Sequence, residues 1–259
     1  MSLPETLLIT GLVAVVAMVA VWLASLALHN ASIVDPFWGT GFTIVAWTAF
    51  IVAGDPGAHD MLLALLVTIW GTRLSGYLLW RNVGKQEDYR YQAFRRRWGS
   101  RFWIVSLFTV FLLQGALLWI VSLPVQVAML APGEIGPLST LGMVVWGIGI
   151  SFEAIGDWQL ARFKANPDNR GHVMDRGLWR FTRHPNYFGD FCVWWGIFTA
   201  ALDASGTAWT VVGPLLMSWL LIRVSGVAML EKTIGKRRPG YDEYTARTNA
   251  FFPGPVRRG

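Results

Sequence analysis

Cysteine is almost missing from this chain. Its 259 residues contain one, Cys192, which excludes an internal disulfide and a cysteine-rich metal site. Histidine is scarce too: the four residues His29, His59, His172 and His184 form no HExxH or comparable ligand spacing, so no metal is expected. There is no GxGxxG motif after a strand and no GxxxxGK[ST], which excludes Rossmann and P-loop modes of nucleotide binding. Charge is thin. Only 15% of the residues are charged, where a soluble domain carries about 25%. Hydrophobic residues make up 54% of the chain and aromatics 14%, and the mean hydropathy is +0.43. These values describe an integral membrane protein. The N-terminus lacks the basic flank of a secretory signal, and Leu7–Leu28 is too long for a signal core, so it is expected to be a retained first span.

Seven apolar runs follow in order, roughly 7–28, 37–53, 61–79, 102–130, 140–160, 186–202 and 208–230. Most have the length of about 17–25 residues that crosses a bilayer as a helix. Pro124 and Pro214 are expected to kink the fourth and seventh. The first 72 residues contain no lysine or arginine, whereas 20 of the 22 basic residues fall in Arg81–Arg101, Arg162–Arg183 and Lys232–Arg258. In a seven-span chain all three clusters lie on one side, which the positive-inside rule makes cytoplasmic. The fold expected is all-α, a polytopic membrane protein of seven transmembrane helices, N-terminus outside and C-terminus cytoplasmic, forming one domain over 1–259. The net charge of +6 belongs to this topology, since the basic residues border apolar spans. No nucleic acid is expected, and the lipid bilayer is the first partner.

Two basic residues, Arg73 and Arg223, remain inside apolar runs. In the third run Trp70, Arg73, Tyr77 and Arg81 recur at helical spacing and share one face. The fifth run carries Glu153, Asp157 and Lys164 on a comparable face. In the sixth, Pro185 suits the first turn of a helix, after which Asn186, Asp190 and Trp194 recur every fourth residue. Charges at this depth must face the bundle interior or a wet cavity. A structural ion-pair network, Arg73 with Asp157 or with Asp190, accounts for any one pair, and a cavity open to the cytoplasm accounts for all three stripes. The loop Arg81–Tyr91 is dense in hydrogen-bonding groups. Arginine forks match phosphates, and Tyr89 or Tyr91 could stack on a flat heterocycle. Arg95, Arg96 and Arg97 read more simply as attraction to anionic headgroups. The segment Glu231–Tyr244 could be a basic interfacial tail, or could close over the cavity with Arg237 or Arg238 on a phosphate.

The stretch Gly177-Leu-Trp-Arg-Phe-Thr-Arg-His-Pro-Asn-Tyr-Phe-Gly-Asp190, the segment Glu87-Asp-Tyr-Arg-Tyr91 and the tail Arg238-Pro-Gly-Tyr-Asp-Glu-Tyr244 together resemble the steroid 5α-reductase family, most closely its bacterial members, from about Asp35 onward. The resemblance implies a seven-helix enzyme of the bacterial inner membrane that takes NADPH from the cytoplasm. It implies reduction of the double bond of a lipophilic enone such as a 3-oxo-Δ4 steroid, which enters from the membrane. Helices 1–4 would form the substrate side and 139–259 the cofactor-binding half. Asn186 and Asp190 match the residues at the nicotinamide end, Asp157 and Glu153 match cofactor-contacting positions, and so do Tyr77 and either Arg81 or Asn82. His172 falls at a phosphate-side position. Arg73, Asp88, Tyr89, Arg90, Lys164, Arg183, His184, Trp194 and Arg237 complete the expected cofactor set.

Asp35, Trp70 and Tyr91 form the expected catalytic set. Asp35 stands where the family has an acid near the substrate carbonyl, and its competing role is a helix N-cap before Pro36. Trp70 stands where the family has a carbonyl-facing tyrosine. The Arg-His-Pro-x-Tyr signature is shared with membrane methyltransferases of the isoprenylcysteine and phospholipid types, which hold S-adenosylmethionine. That similarity covers only the last three runs and is the alternative reading.

Overall fold

The computed structural model describes residues 1–224 and 239–256, and every regular element among them is helical. The helices are α1 (Leu3–Ala27), α2 (Val34–Ala53), α3 (Ala58–Asn82), α4 (Tyr89–Trp98), α5 (Phe102–Ser106), α6 (Leu113–Val121), α7 (Leu123–Ala128), α8 (Pro137–Ala165), α9 (Pro185–Ala201), α10 (Val212–Trp219) and α11 (Tyr241–Arg247). A π-turn, Leu107–Leu112, joins α5 to α6. Among the described residues five helical runs, Leu3–Ala27, Ala31–Ala53, Ala58–Asn82, Tyr89–Val121 and Pro137–Ala165, are long and apolar enough to cross a membrane. α9, with 17 residues, and the stretch Ala208–Val224 are shorter. Arg223, expected to be deep in the seventh run, is exposed. The last six residues of that run, 225–230, and Arg237 and Arg238 lie outside the described residues.

The helices run past the apolar stretches by about a turn. α3 continues to Asn82 because Tyr77 receives the guanidinium groups of both Arg73 and Arg81, at 5.6 and 5.9 Å from its ring. In the fourth run the chain behaves as Pro124 requires, and more sharply than a kink. The helix ends at Val121 and restarts at Leu123 with the proline in its first turn. Gln126, fully buried, donates to the Trp119 carbonyl at 2.8 Å and so satisfies an acceptor freed at the break. Pro214 likewise lies in the first turn of α10 and not in mid-helix. Gly99 (φ +51) separates the basic α4 from the apolar rod that begins at Phe102.

The chain forms two compact units, Met1–Ser139 with Ala200–Gly213, and Thr140–Thr199 with Pro214–Gly259. In the first, α1 is apolar all round, so its buried face is chosen by small, polar and flexible residues, Thr6, Thr10, Ala14, Met18 and Ser25. α2 meets α3 backbone to backbone at Gly39 and Gly71, where a Cβ on Gly71 would lie 2.5 Å from the Gly39 carbonyl oxygen. Asp203, in the loop after α9, accepts the backbone N–H groups of Gly136 (3.0 Å) and Ser139 (2.6 Å). Its desolvation opposes the charge, but the bonds from Ser139 and Gly136 prevail and hold its carboxyl below the ordinary carboxylate range. A depressed folded-state pKa gives stability that is present above the unfolded value of about 3.9 and is lost as pH falls through the folded value. Asp203→Asn is therefore expected to melt lower at neutral pH and to lose part of the fall in Tm seen below about pH 4, which melting curves at a series of pH values would read.

In the second unit, glycines seven residues apart on both helices bring α8 and α9 into backbone contact. A Cβ on Gly189 would lie 2.6 Å from both the Glu153 nitrogen and the Gly149 oxygen; one on Gly196 would lie 2.6 Å from the Trp146 nitrogen. Gly189→Ala is expected to cost about 1–3 kcal/mol by overpacking against backbone that cannot yield. A melting temperature in detergent equal to that of the parent would refute the tight seam.

Candidate functional site

Residues Glu87–Tyr91 bind the loop before α2 and its first turn to the start of α4. Glu87 accepts the Ala31 N–H at 2.7 Å and holds the Arg95 guanidinium at 2.9 and 3.2 Å. Asp88 caps α4 through the Arg90 N–H at 2.9 Å and also takes the Arg90 Nε–H at 3.0 Å, while its own N–H donates to Ser32 at 3.1 Å. Burial works against the Asp88 charge, but the bonds from Arg90 prevail and keep its carboxyl below the usual range. The far end of Arg90 donates from Nη2 to Asp35 Oδ2 at 2.8 Å, and the Tyr91 hydroxyl donates to Asp35 Oδ1 at 2.7 Å. Gln114 borders that hydroxyl. Asp35 is thus not an N-cap. Its carboxylate faces α4, and Asn30 supplies the cap of the turn before α2 by accepting from the Ser32 N–H.

Beside this network opens a cleft of roughly 540 Å³, lined by Ser32, Pro36, Asn82, Lys85, Asp88 and Tyr89 among others. Asn82, Asp88 and Tyr89 of the expected cofactor set therefore share one wall. Trp70 lies elsewhere. It is fully buried and packs edge-on against Phe42, 5.3 Å between ring centroids. The stripe expected on α3 divides, with Trp70 in the core and Arg73, Tyr77 and Arg81 in a mutual cation–π stack towards the helix end. The reading of Arg95 as a lipid contact is corrected, because Glu87 already holds its fork; Arg96 and Arg97 are exposed.

In the second unit the glycine seam sets Asp157 beside Asn186. The Asn186 amide donates to Asp157 Oδ1 at 3.2 Å, and its oxygen accepts the Tyr187 N–H at 3.1 Å. Glu153 and Asp157 are 3% and 5% exposed, Trp194 is fully buried and Asp190 is half-buried. His184 is buried and stacks on Tyr187, 5.5 Å between centroids. Lys164 and His172 are exposed.

Arg183 has a structural duty, since its Nη1 donates to the carbonyls of Thr245 (3.1 Å) and Thr248 (2.8 Å) at the end of α11, where a cation complements the helix dipole. The tail after residue 239 is a clamp. The Tyr244 hydroxyl donates to the Trp179 carbonyl at 2.6 Å, Thr182 donates to the Phe251 carbonyl at 2.7 Å, and the Arg183 N–H donates to the Asn249 carbonyl at 2.9 Å. Phe251 and Phe252 close on Phe188 and Phe191. The extended stretch before Pro185 and the tail motif are thus two sides of one clasp that fixes the first turn of α9 and Asn186 within it.

Several participants were missed in the sequence. Gln114 is one of two carboxamides, with Gln126, in an apolar run, which was itself a signal. Glycines at heptad spacing in α8 and α9 announced close packing. Asn30 and Ser32 gave no signal of their own.

Compared with known proteins, residues 21–248 match the family described as protein of unknown function DUF1295. An uncharacterized protein of Schizosaccharomyces pombe is 26% identical over 266 residues, covering 90% of this chain and 75% of the relative. No solved structure matches.

Proposed function

Because the chain belongs to the DUF1295 family, whose description names no reaction, we propose a function from its chemistry: a membrane-embedded NADPH-dependent reductase of a lipophilic enone, typified by a 3-oxo-Δ4 steroid. The observation that carries the reading is the Tyr91–Asp35–Arg90 cluster, a hydroxyl held by a carboxylate whose other oxygen is held by a guanidinium. Such a group is expensive among apolar helices and has a use in polarising a carbonyl. In this structure the one Tyr91 hydroxyl proton goes to Asp35, so that hydroxyl would turn from Asp35 to the substrate oxygen when the enone binds. Asp35 and Gln114 orient it, and Arg90 offsets the negative charge that builds as the enone becomes an enolate.

The donor set of the second unit suits NADPH in kind. Asn186 offers an amide and Asp157 and Glu153 offer carboxylate acceptors for the carboxamide and ribose hydroxyls, while exposed basic residues such as Lys164 and His172 suit phosphates. When bound, the cofactor would supply the hydride to the β-carbon. Seven spans, an outside N-terminus, a cytoplasmic cofactor site and a bacterial inner-membrane setting belong to the same proposal. The methyltransferase alternative leaves the Tyr91–Asp35–Arg90 cluster without a task.

The test uses purified protein in detergent with NADPH, NADH and S-adenosylmethionine in parallel. A ligand that binds only the folded state raises the melting temperature. NADPH is expected to give the largest shift, and its oxidation is expected to require an added 3-oxo-Δ4 steroid or another lipophilic enone. A shift with S-adenosylmethionine alone would overturn the reductase.

A further inference from the structure

Along α8 a second stripe runs on the side away from Glu153 and Asp157. Leu141, Val144, Ile148, Ile155 and Trp158 recur every three or four residues, apart from the step across Ser151, and each is between 44% and 57% exposed. From Leu141 to Trp158 the stripe covers about 26 Å of helix, close to the roughly 30 Å of a bilayer's hydrocarbon layer. Its last member is a tryptophan, the residue that settles at the headgroup level. One turn further, the Arg162 guanidinium lies 5.5 Å from the Trp158 ring.

At this end the helix opens into a cleft of roughly 380 Å³, whose lining includes Arg162, Arg176, Asn166, Asn169, Trp158 and Phe163 but no carboxylate. The floor is apolar, with Phe163 and Met174 both buried. The rim is polar and donor-rich. Asn166 uses its oxygen for the Asp168 N–H, which leaves its NH₂ to donate outward. Arg176 is held at the rim by its neighbour. Gly177 sits at φ +59, a left-handed value, with Gln159 packed where any side chain would go; the Gln159 oxygen takes the Leu178 N–H at 3.0 Å. Gly177 is therefore required twice, for its backbone angle and for the space, and it sets the course of the chain next to Arg176, which lines the cleft together with Arg162.

We propose that this cleft binds the phosphate headgroup of an anionic phospholipid whose acyl chain lies along the exposed stripe of α8. Two guanidinium groups and an amide match a phosphodiester, and the tryptophan and the apolar stripe match the glycerol and hydrocarbon levels. The bound lipid would tie α8 to the segment beginning at Arg176, which leads through the clasp to Asn186. The cleft and the stripe alone support this lipid site, which does not depend on the reductase reading.

The experiment is native mass spectrometry and thermal melting of the whole protein in phosphatidylcholine, with and without phosphatidylglycerol. One phosphatidylglycerol is expected to be retained and to raise the melting temperature. Arg162→Gln and Arg176→Gln are each expected to weaken it roughly tenfold, the loss of one hydrogen-bonded charge. Both residues are on the surface, so melting in pure phosphatidylcholine is expected to match the parent and to report intact folding. Arg96→Gln with Arg97→Gln, on exposed basic residues of α4, is the control expected to keep the retained lipid. Equal retention of phosphatidylcholine, an equal loss in the α4 control, or displacement of the lipid by inorganic phosphate or NADPH would each overturn the proposal.

Discussion

Tyr91→Phe is expected to lower the turnover of enone reduction by about 10²–10³-fold, the effect of removing one preorganised donor from a developing oxyanion, with the NADPH-induced thermal shift unchanged. The loss falls on kcat because the hydrogen bond strengthens as charge moves onto the carbonyl oxygen. The hydroxyl lies 2.7 Å from Asp35 Oδ1, so a phenylalanine ring fills the same space and removes the hydroxyl, and with it one of the two bonds to Asp35. Asp35→Asn keeps the shape but removes the charge that pairs with Arg90 at 2.8 Å. It is expected to lower both turnover and stability, since a partly buried guanidinium loses one of its two carboxylates and keeps only Asp88. Steady-state kinetics of the two variants, with melting curves beside them, separate donor from scaffold. Parent-like turnover in Tyr91→Phe would remove the hydroxyl from the chemistry and leave the cluster as a brace between α2 and α4.

Some of the architecture could be read directly in the residues. Apolar runs are long and repetitive signals, so the helices of α1, α2, α3, α8 and α9 were anticipated, with ends displaced by about a turn where Arg73, Tyr77 and Arg81 or Lys164 continue the helix beyond the apolar stretch. Pro185 as the first residue of α9 followed from its missing N–H and fixed φ, and the observed helix begins there. Local stripes were legible as well: Asp157 and Asn186 were read on two stripes lining one cavity, and the Asn186 amide reaches Asp157, although the pair itself was not foreseen. What could not be read was who competes for each polar group. Arg183 looks like a phosphate ligand in one dimension, but it serves the carbonyls of Thr245 and Thr248, more than 60 residues away. Arg95 looks like a lipid contact until Glu87 is seen to hold it. Trp70 shares a helical face with Arg73, yet one turn of depth puts it in the core against Phe42. Non-local pairing decides each case, and it leaves no trace in spacing.

The pair Asp157 and Asn186 yields the second large effect. Asn186→Ala is expected to weaken NADPH about 10–100-fold, since it removes an amide that bonds a carboxylate and leaves Asp157, 5% exposed, without the donor at 3.2 Å. Two causes are mixed in that number. One is a lost contact to the cofactor, and the other is a buried carboxylate deprived of one donor, which also lowers stability without any ligand. Asp157→Ala combined with Asn186→Ala distinguishes them. If the pair is only structural glue, removing both partners restores part of the stability lost in the single variants, because neither member is left facing the gap of the other. Ligand-induced shifts, if there are any, return with it. If the pair holds the cofactor, stability recovers in the double variant while the NADPH shift stays absent. The glycine seam argues for the second outcome. Backbone contact at Gly149, Gly189 and Gly196 already holds α8 against α9, so a polar bond adds little that the seam lacks, and a carboxylate–amide pair kept there has a reason other than cohesion.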